Sequence, residues 1–447
     1  MNRRDFLQLS MYAGCSCLLP DLSRAAGPLD NVIFDPVVYA ANQPQTIMIF
    51  MYGGASELAG NFTNYDQFKN LSQSNYEAHF REQLTSTANG FWQEAGGTIM
   101  EELLAQNRLN VFRTCFSQVR WDANNRSHGP CTAQNQRGSF NGDAPGIFAN
   151  LGRVLKENSI IDANTKMPFL TMEGESGFWA TGDLQRDPIL VPMSISENLD
   201  NPFSRSGEPD YAATMDALAK QYNAAGKITD AFAKRSEMEQ FINEIPNIDD
   251  ELVDGLPNPD YLDLGTNTDG DNLNYDSNSF ARKLKTAINI LNFNSDTRVI
   301  SLGTGGLGGW DDHNDARNYI SRIDGLFLAL RSAMAHINHL GKTNKINIVV
   351  MSEFGRGVNL NSANGWDHGN LQTVYVLGGT GYYNAPGIVG STRVEDTGSI
   401  NRLYLQPEPS SYCFEPLSVA SSIYSIYGIT NPQVLTDGNP VITPLVA

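Results

Sequence analysis

The chain has 447 residues, of which 41% are hydrophobic and 18% are charged. That hydrophobic share is enough for a sizeable core, which excludes a wholly disordered chain. With 49 acidic and 31 basic residues the formal net charge is −18, and such a surface repels phosphate backbones, which argues against nucleic acid as a partner. After the first twenty or so residues no apolar run approaches the roughly 18 residues that span a bilayer, so no transmembrane segment is expected in the mature chain.

The N-terminus carries an export motif. The run Arg3-Arg4-Asp5-Phe6-Leu7 is typical of a twin-arginine signal, and we predict a signal peptide over residues 1–26. The mature protein is therefore expected in the periplasm or at the cell surface of a bacterium. Cys15 follows a faint lipoprotein-like box, so lipidation there is the alternative to cleavage.

Three cysteines follow this signal, Cys115, Cys131 and Cys413. An oxidising compartment permits one disulfide, and Cys115 with Cys131 is the expected pair because the two are near in sequence. Neither has a Cys-x-x-Cys neighbour, so a zinc knuckle or a redox motif is not expected.

Short β-branched or apolar runs predict buried strands separated by helical patterns. The strands are expected at residues 46–52, 109–114, 168–172, 298–302, 346–352 and 373–377. The clearest helix follows Asp315, where apolar residues from Ile320 to Ile337 recur at three- and four-residue spacing. The alternation predicts an α/β domain with a mostly parallel sheet, in which the strands at 298–302 and 346–352 are neighbours.

The composition shifts between about residues 195 and 292, where a helical, charged stretch is followed by one rich in Asp, Asn, Gly and Pro. We predict that this segment is a cap inserted into a domain that spans residues 44–447. Asn267 to Asp271 resembles the middle of a calcium loop, but Gly265 occupies the first ligand position and cannot serve. A surface turn is the favoured interpretation.

Acidic and imidazole side chains gather in Gly-rich segments after two of these strands, where an α/β sheet builds its sites. The candidates are Asp311, His313, Glu353, Asp367 and His368. Asp, Glu and His are suited to a divalent metal ion such as zinc, manganese or calcium. Each residue taken alone has a structural alternative, such as capping a helix or ordering its own loop, but two acid–His pairs and a Glu together favour a metal site.

Two further segments add candidates. The first strand ends in Gly53-Gly54, after which Ser56 or Glu57 is placed as nucleophile or ligand, although a serine there is more often only a turn residue. After the strand at 109–114, Arg126 is a candidate to clamp an oxyanion and His128 to bind a metal or position a substrate. An ordinary polar loop is the alternative there. His79, His336 and His339 lie off the strand ends and are expected at the surface.

These segments resemble the bacterial family known as domain of unknown function 1501, whose members look related to the alkaline phosphatase and sulfatase superfamily. The matching motifs are Gly53-Gly54, Arg126-Ser127-His128, Gly308-Gly309-Trp310-Asp311-Asp312-His313, Ser352-Glu353-Phe354-Gly355-Arg356 and Asp367-His368-Gly369. The resemblance implies an alkaline-phosphatase-like three-layer α/β/α sandwich, with Asp311, His313, Glu353 and His368 as metal ligands and His128 nearby.

The chain departs from the family pattern at the first strand. Ser56 stands where the family usually has Asp, Glu57 follows where Gly is common, and Asp312 replaces the usual Thr. Either Glu57 stands in for the missing Asp or the site is impaired.

The main functional hypothesis is an exported, metal-dependent hydrolase of phosphate or sulfate esters, in which Arg126 or Arg356 orients the anionic group and Ser56 is a candidate nucleophile. The alternative is a catalytically degenerate envelope or surface component that binds an exported protein partner. A weaker third idea is a calcium-dependent glycan-binding module around residues 263–276.

Overall fold

The computed structural model describes residues 29–69, 75–184, 187–197, 217, 275–398 and 402–446. The predicted signal peptide, the calcium-like turn and most of the predicted cap lie outside these residues. Helices are numbered in chain order as α1 (Pro36–Asn42), α2 (Tyr65–Phe68), α3 (Tyr76–Phe80), α4 (Thr98–Ala105), α5 (Gln118–Asp122), α6 (His128–Arg137), α7 (Ile147–Glu157), α8 (Ser279–Phe293), α9 (Tyr319–His339) and α10 (Leu417–Ile426).

Two sheets organise the described residues. The strands are β1 (Gln45–Met51), β2 (Leu109–Phe116), β3 (Phe169–Thr171), β4 (Met193–Ser194), β5 (Val299–Gly303), β6 (Ile346–Ser352), β7 (Arg356–Leu360), β8 (Trp366–His368), β9 (Leu371–Gly378), β10 (Ile388–Val389), β11 (Thr392–Asp396) and β12 (Leu403–Pro407). Eight form the main sheet in the order β10-β2-β9-β6-β1-β5-β3-β4, and four form a small sheet in the order β11-β12-β7-β8.

The main sheet is mostly parallel, as predicted. Strand β9 is the exception, because it pairs antiparallel with both β2 and β6. The prediction that the strands after residues 298 and 346 are neighbours is wrong: β1 lies between them and pairs in parallel with each. Strand β1 is long and apolar enough to occupy the centre of the sheet. The local strand–helix–strand pattern does not indicate that a strand from the N-terminal part of the chain inserts between β5 and β6.

Helices cover both faces of this sheet, which confirms the predicted three-layer α/β class. Side chains of β1 alternate between two cores, as expected for a strand that is buried on both faces. Ile47 and Ile49 face the core that contains α4, α8 and α9, whereas Met48 and Phe50 face the core that contains α7 and α10. None of the described helices is long and apolar enough to cross a membrane.

Helix α9 realises the predicted apolar stripe, and its burial corrects one histidine. His336 is 2% exposed and its Nδ1 lies 3.2 Å from the Tyr275 hydroxyl, so the prediction of a surface residue is wrong. Burial lowers its pKa to about 4. The His79 side chain is also largely buried, at 7% exposed, and faces Asp315, whereas His339 is exposed as expected.

The predicted disulfide between Cys115 and Cys131 is wrong, because both are free thiols. Cys115 lies in β2 and packs in the core on the α7 and α10 face. Cys131 lies in α6, where its Sγ is 4.0 Å from the Asn125 carbonyl oxygen. Proximity in sequence does not bring these two side chains together, since the chain turns through α5 between them.

Candidate metal centre

Five chain segments meet at one edge of the main sheet. The parallel strands β1, β5 and β6 end there, and so does β2, which is antiparallel to β9 as β6 is. Because β9 runs the other way, the segment that precedes it also arrives at this edge. The chain therefore brings the loops after four strands and the β8–β9 connection together at the position where α/β sheets place their ligands.

Four side chains from these segments form a group that can hold a metal ion. His128, Asp311, His313 and His368 each offer one ligand atom, and these atoms lie within 4.8 Å of one another. The Nε2 atoms of His313 and His368 are 2.7 Å apart. His128 Nε2 is 3.4 Å from Asp311 Oδ2, and His313 Nε2 is 3.4 Å from Asp311 Oδ1. We call these four residues the His/Asp cluster.

His128 is oriented toward the cluster by Glu353. Its Nδ1 lies 2.7 Å from Glu353 Oε2, while its Nε2 is buried and has no hydrogen-bond partner in the part of the chain that the structure describes. A carboxylate at Nδ1 keeps the proton on that nitrogen and leaves the Nε2 lone pair free, which is the usual outer support of a metal-binding histidine. Glu353 was predicted as a ligand, but the structure places it behind His128 and 3% exposed.

Glu353 is itself fixed at both ends. Its Oε1 accepts a hydrogen bond of 2.6 Å from the Gly53 backbone amide. Its carbonyl oxygen accepts hydrogen bonds from Arg120 Nη1 and Asn135 Nδ2. Arg120 and Asn135 belong to no recognisable motif, and only the three-dimensional structure reveals their part in the site.

The other two histidines have different neighbours. Asp367 Oδ1 lies 3.7 Å from His313 Nδ1, so Asp367, also predicted as a ligand, stands behind His313. His368 forms a hydrogen bond with the backbone of Arg126. Burial, followed by the positive charges of Arg356, His313 and His128, lowers the pKa of His368 to about 4. The ring is therefore neutral near pH 7 and keeps a lone pair for a metal.

Arg356 joins three of the converging segments. Its side chain is fully buried and donates to the carbonyl oxygens of Gly53 and Gly54, of Trp310 and of Trp366. Its Nη2 also lies 2.7 Å from Asp311 Oδ1. Burial acts to raise the pKa of Asp311, but the hydrogen bond and charge of Arg356 outweigh it and the pKa falls below its usual value. Arg356 was predicted to orient a substrate anion, but its nitrogens form hydrogen bonds with other groups of this chain.

The loop after β1 makes room for this arrangement because residue 53 is a glycine. Gly53 has a φ of +109°, and a Cβ there would lie 2.6 Å from the Asp311 backbone nitrogen. A side chain at this position would push the Asp311 loop away. Asp312, by contrast, points away from the cluster, since it is buried and paired with Arg322.

Ser56 and Glu57 are not part of the cluster. Ser56 is 5% exposed and its Oγ caps the short 3-10 helix Glu57–Ala59, accepting from the Leu58 amide. Glu57 is 2% exposed and its Oε2 accepts a 2.8 Å hydrogen bond from the Arg356 backbone amide. Its Oε1 is buried and forms no hydrogen bond with any described residue. Burial raises the pKa of Glu57 to about 8.

The stability of Glu57→Gln relative to wild type should increase as the pH rises. The folded state retains on Glu57, between pH 4.5 and about 8, a proton that the unfolded chain releases, so this residue's contribution to stability falls across that range. At 1.36 kcal/mol per pKa unit, the rough upper bound on the difference is about 5 kcal/mol. Urea midpoints of both proteins at pH 5 and pH 9 measure it.

The exposed Glu77 of α3 supplies the control for this comparison. Glu77→Gln should follow the wild-type pH dependence, because water solvates that carboxyl equally well in both states. If the stabilities of Glu57→Gln and wild type depend on pH in the same way, the inference that folded Glu57 keeps its proton is contradicted.

Arg126 lies beside the cluster. Its guanidinium stacks on the rings of Trp121 and Tyr404, at 4.8 and 4.6 Å from their centroids. Its Nε donates to Asn370 and its Nη1 to the Tyr404 hydroxyl. Asn370 and Tyr404 were not predicted, although Asn370 directly follows the Asp367-His368-Gly369 motif.

The cluster is open to solvent on one side. The side chains of Asp311, His128 and His313 are 49%, 37% and 35% exposed. Three imidazoles and one carboxylate match the nitrogen and oxygen ligands of zinc and related transition metals, whereas calcium prefers an all-oxygen shell. Partial exposure leaves a position that water or a substrate can reach.

The chain belongs to the family described as protein of unknown function (DUF1501), whose model matches residues 43–393. This span includes every residue of the His/Asp cluster. A search of curated proteins finds no match.

The chain is similar at low identity to several solved structures, which include a phosphatase and a phosphonate monoester hydrolase. Alkaline phosphatase from the Antarctic bacterium TAB5 is 11% identical, with 89% of this chain and 99% of that chain covered and a TM-score of 0.36. Phosphonate monoester hydrolase from Silicibacter pomeroyi is 12% identical, with 90% and 76% covered and a TM-score of 0.36. The protein Ps i-CgsB, solved with k-i-k-neocarrahexaose, is 11% identical, with 88% and 74% covered and a TM-score of 0.38.

Proposed function

We propose that this protein is an exported hydrolase of phosphate or sulfate esters that depends on a divalent metal ion held by His128, Asp311, His313 and His368. The observation that carries the proposal is the convergence of these four side chains, together with the buried Nε2 of His128, which faces the other three and forms no hydrogen bond with any described residue. The nitrogen-rich ligand set favours zinc over calcium. When bound, such an ion acts as a Lewis acid on the ester oxygen.

The other residues of the site prepare the cluster in this proposal. Glu353 keeps the proton of His128 on Nδ1, and Arg356 holds Asp311 at the mouth of the site. Arg126 binds the anionic group of the substrate, because its Nη2 has no hydrogen-bond partner among the described residues and the two aromatic rings fix its plane. Water takes the place of Ser56 as the nucleophile, since the Ser56 hydroxyl is buried in its cap.

Metal removal tests this proposal directly. Full-length protein exported and purified without chelators should contain about one equivalent of a transition metal by mass spectrometry, since one cluster supplies four ligands. Chelation should abolish hydrolysis of p-nitrophenyl phosphate or p-nitrophenyl sulfate, and added zinc should restore it. A protein that neither contains nor takes up metal contradicts the proposal.

The burial of Ser56 also favours a second candidate, the catalytically degenerate surface component. Metal binding without turnover of any phosphate or sulfate ester would support it, because the fold would then use its metal only to hold the loops that a protein partner contacts. Capture of one exported partner by wild-type protein, and its loss on chelation, is the corresponding measurement.

A further inference from the structure

A second polar cavity, of about 580 Å³, opens beside the edge strand β10. Its lining includes Thr63, Thr87, Asn89, Arg113 and Ser391, and no member of the His/Asp cluster is among its lining residues. A volume of this size suits a small molecule and exceeds what a single inorganic ion needs. The cavity therefore has room for a ligand of its own.

The floor of this cavity is a buried cation. Arg113 of β2 is 6% exposed. Its Nε donates to the Gly60 carbonyl oxygen at 2.7 Å, and its Nη2 donates to those of Asn89 and Gly90 at 2.6 and 3.2 Å. Nη1 has no hydrogen-bond partner among the described residues. Position 90 favours glycine, because its φ is +75° and a Cβ there would lie 2.3 Å from Thr63 Cγ2.

Arg113 is held by neutral carbonyl groups, and no carboxylate of the described residues forms a hydrogen bond with it. Glu101 acts on it by its charge, and the oxygens of Glu101 are engaged by the backbone and side-chain nitrogens of Asn89 at 2.8 and 2.5 Å. Burial lowers the pKa of Arg113 to about 10, so the group remains charged near pH 7. A buried charge without a direct counter-ion is costly, and an incoming anion offsets that cost.

The rim of the cavity is polar. Ser391 is exposed, and its hydroxyl has no hydrogen-bond partner among the described residues. The Nδ2 of Asn89 donates a hydrogen bond to Glu101, which leaves its Oδ1 available to accept one from a ligand. Hydroxyl and amide groups around a single cation match a ligand that carries both an oxyanion and neutral polar groups. On a chain with a net charge of −18, the buried Arg113 gives this cavity a local attraction for anions.

We infer that this cavity binds a small polar molecule bearing a carboxylate or sulfate group, which Arg113 anchors through Nη1. The site is independent of the metal-dependent activity proposed above. A carboxylated and a sulfated molecule share the same chemistry here, because a planar guanidinium pairs with either oxyanion.

Isothermal titration calorimetry with sodium glucuronate and sodium sulfate, in low-salt buffer, tests the inference. The full-length protein should bind at least one of them, and the stronger one identifies the anion class. Ser391→Asp should weaken binding by about tenfold, since a new carboxylate at the rim repels the ligand, while the uncharged control Ser391→Asn should stay within about twofold. Glu101→Gln should strengthen binding, because it removes a negative charge that acts on Arg113.

The same titration on a His313→Ala/His368→Ala variant separates the two sites. Binding that survives in this variant belongs to the Arg113 cavity, whatever the fate of the metal proposal. Binding that is lost there, binding that Ser391→Asp leaves unchanged, or no binding of either anion would overturn the inference. Because Ser391 is exposed, its substitutions test the cavity without disturbing the buried Arg113.

Discussion

Replacing His313 and His368 together by alanine should abolish metal binding at the His/Asp cluster. Their Nε2 atoms lie 2.7 Å apart, so both nitrogens face the same space, and the double substitution removes two of the four ligands. The loss should exceed the roughly 10–100-fold fall in affinity that is typical when only an outer partner of a metal ligand is removed. Metal content by mass spectrometry, after dialysis against a fixed zinc concentration, measures the change.

Two companion variants calibrate this result. Glu353→Gln leaves all four ligands in place but weakens control over the His128 proton, so its affinity should fall by about 10–100-fold, less than for the double variant. His339→Ala, at the exposed end of α9, should bind metal like wild type. Full metal content in the double variant would show that the ion is held elsewhere.

The sequence predicts the edge at which the site forms better than it predicts which atoms face it. Strand β6 is found at its predicted bounds, and the acid and histidine residues after β5 and β6 do meet at the strand ends. Glu353 and Asp367, however, were predicted as ligands and stand behind His128 and His313. Asp367 directly precedes the cluster member His368, and Glu353 directly follows a strand that ends at the same edge, but a linear pattern does not record the direction in which a side chain points.

The residues that the sequence misplaced share one physical cause, which is long-range burial. Ser56 and Glu57 follow a strand end like the cluster residues, but the loop turns them inward, where Glu57 binds the Arg356 amide 299 positions away in sequence. The position of β1 between β5 and β6 also depends on contacts between segments that are distant in sequence. Composition and periodicity report local structure, whereas these contacts depend on how distant segments are stacked.

Arg356→Ala should unfold the site and destabilise the whole domain. The substitution leaves the carbonyl oxygens of Gly53, Gly54 and Trp366 without their buried donor, and it leaves Asp311 without its charged partner. Removing one member of a buried charged network typically costs about 3–5 kcal/mol. Urea denaturation followed by circular dichroism measures this loss, and it should appear with and without zinc, because the hydrogen bonds join protein to protein.

Arg356→Lys distinguishes this architectural role from the clamping of a substrate anion. Lysine keeps the positive charge but cannot donate to several carbonyl oxygens in the fixed geometry of a guanidinium. If Arg356 only clamped a substrate anion, the lysine variant would keep the wild-type stability and change only the KM for the ester. An arginine that joins three loops would instead lose stability without any substrate present, while the exposed control Arg317→Ala keeps the wild-type midpoint. If Arg356→Lys keeps the wild-type urea midpoint and raises the KM for the ester, Arg356 binds the substrate anion and the architectural role is contradicted.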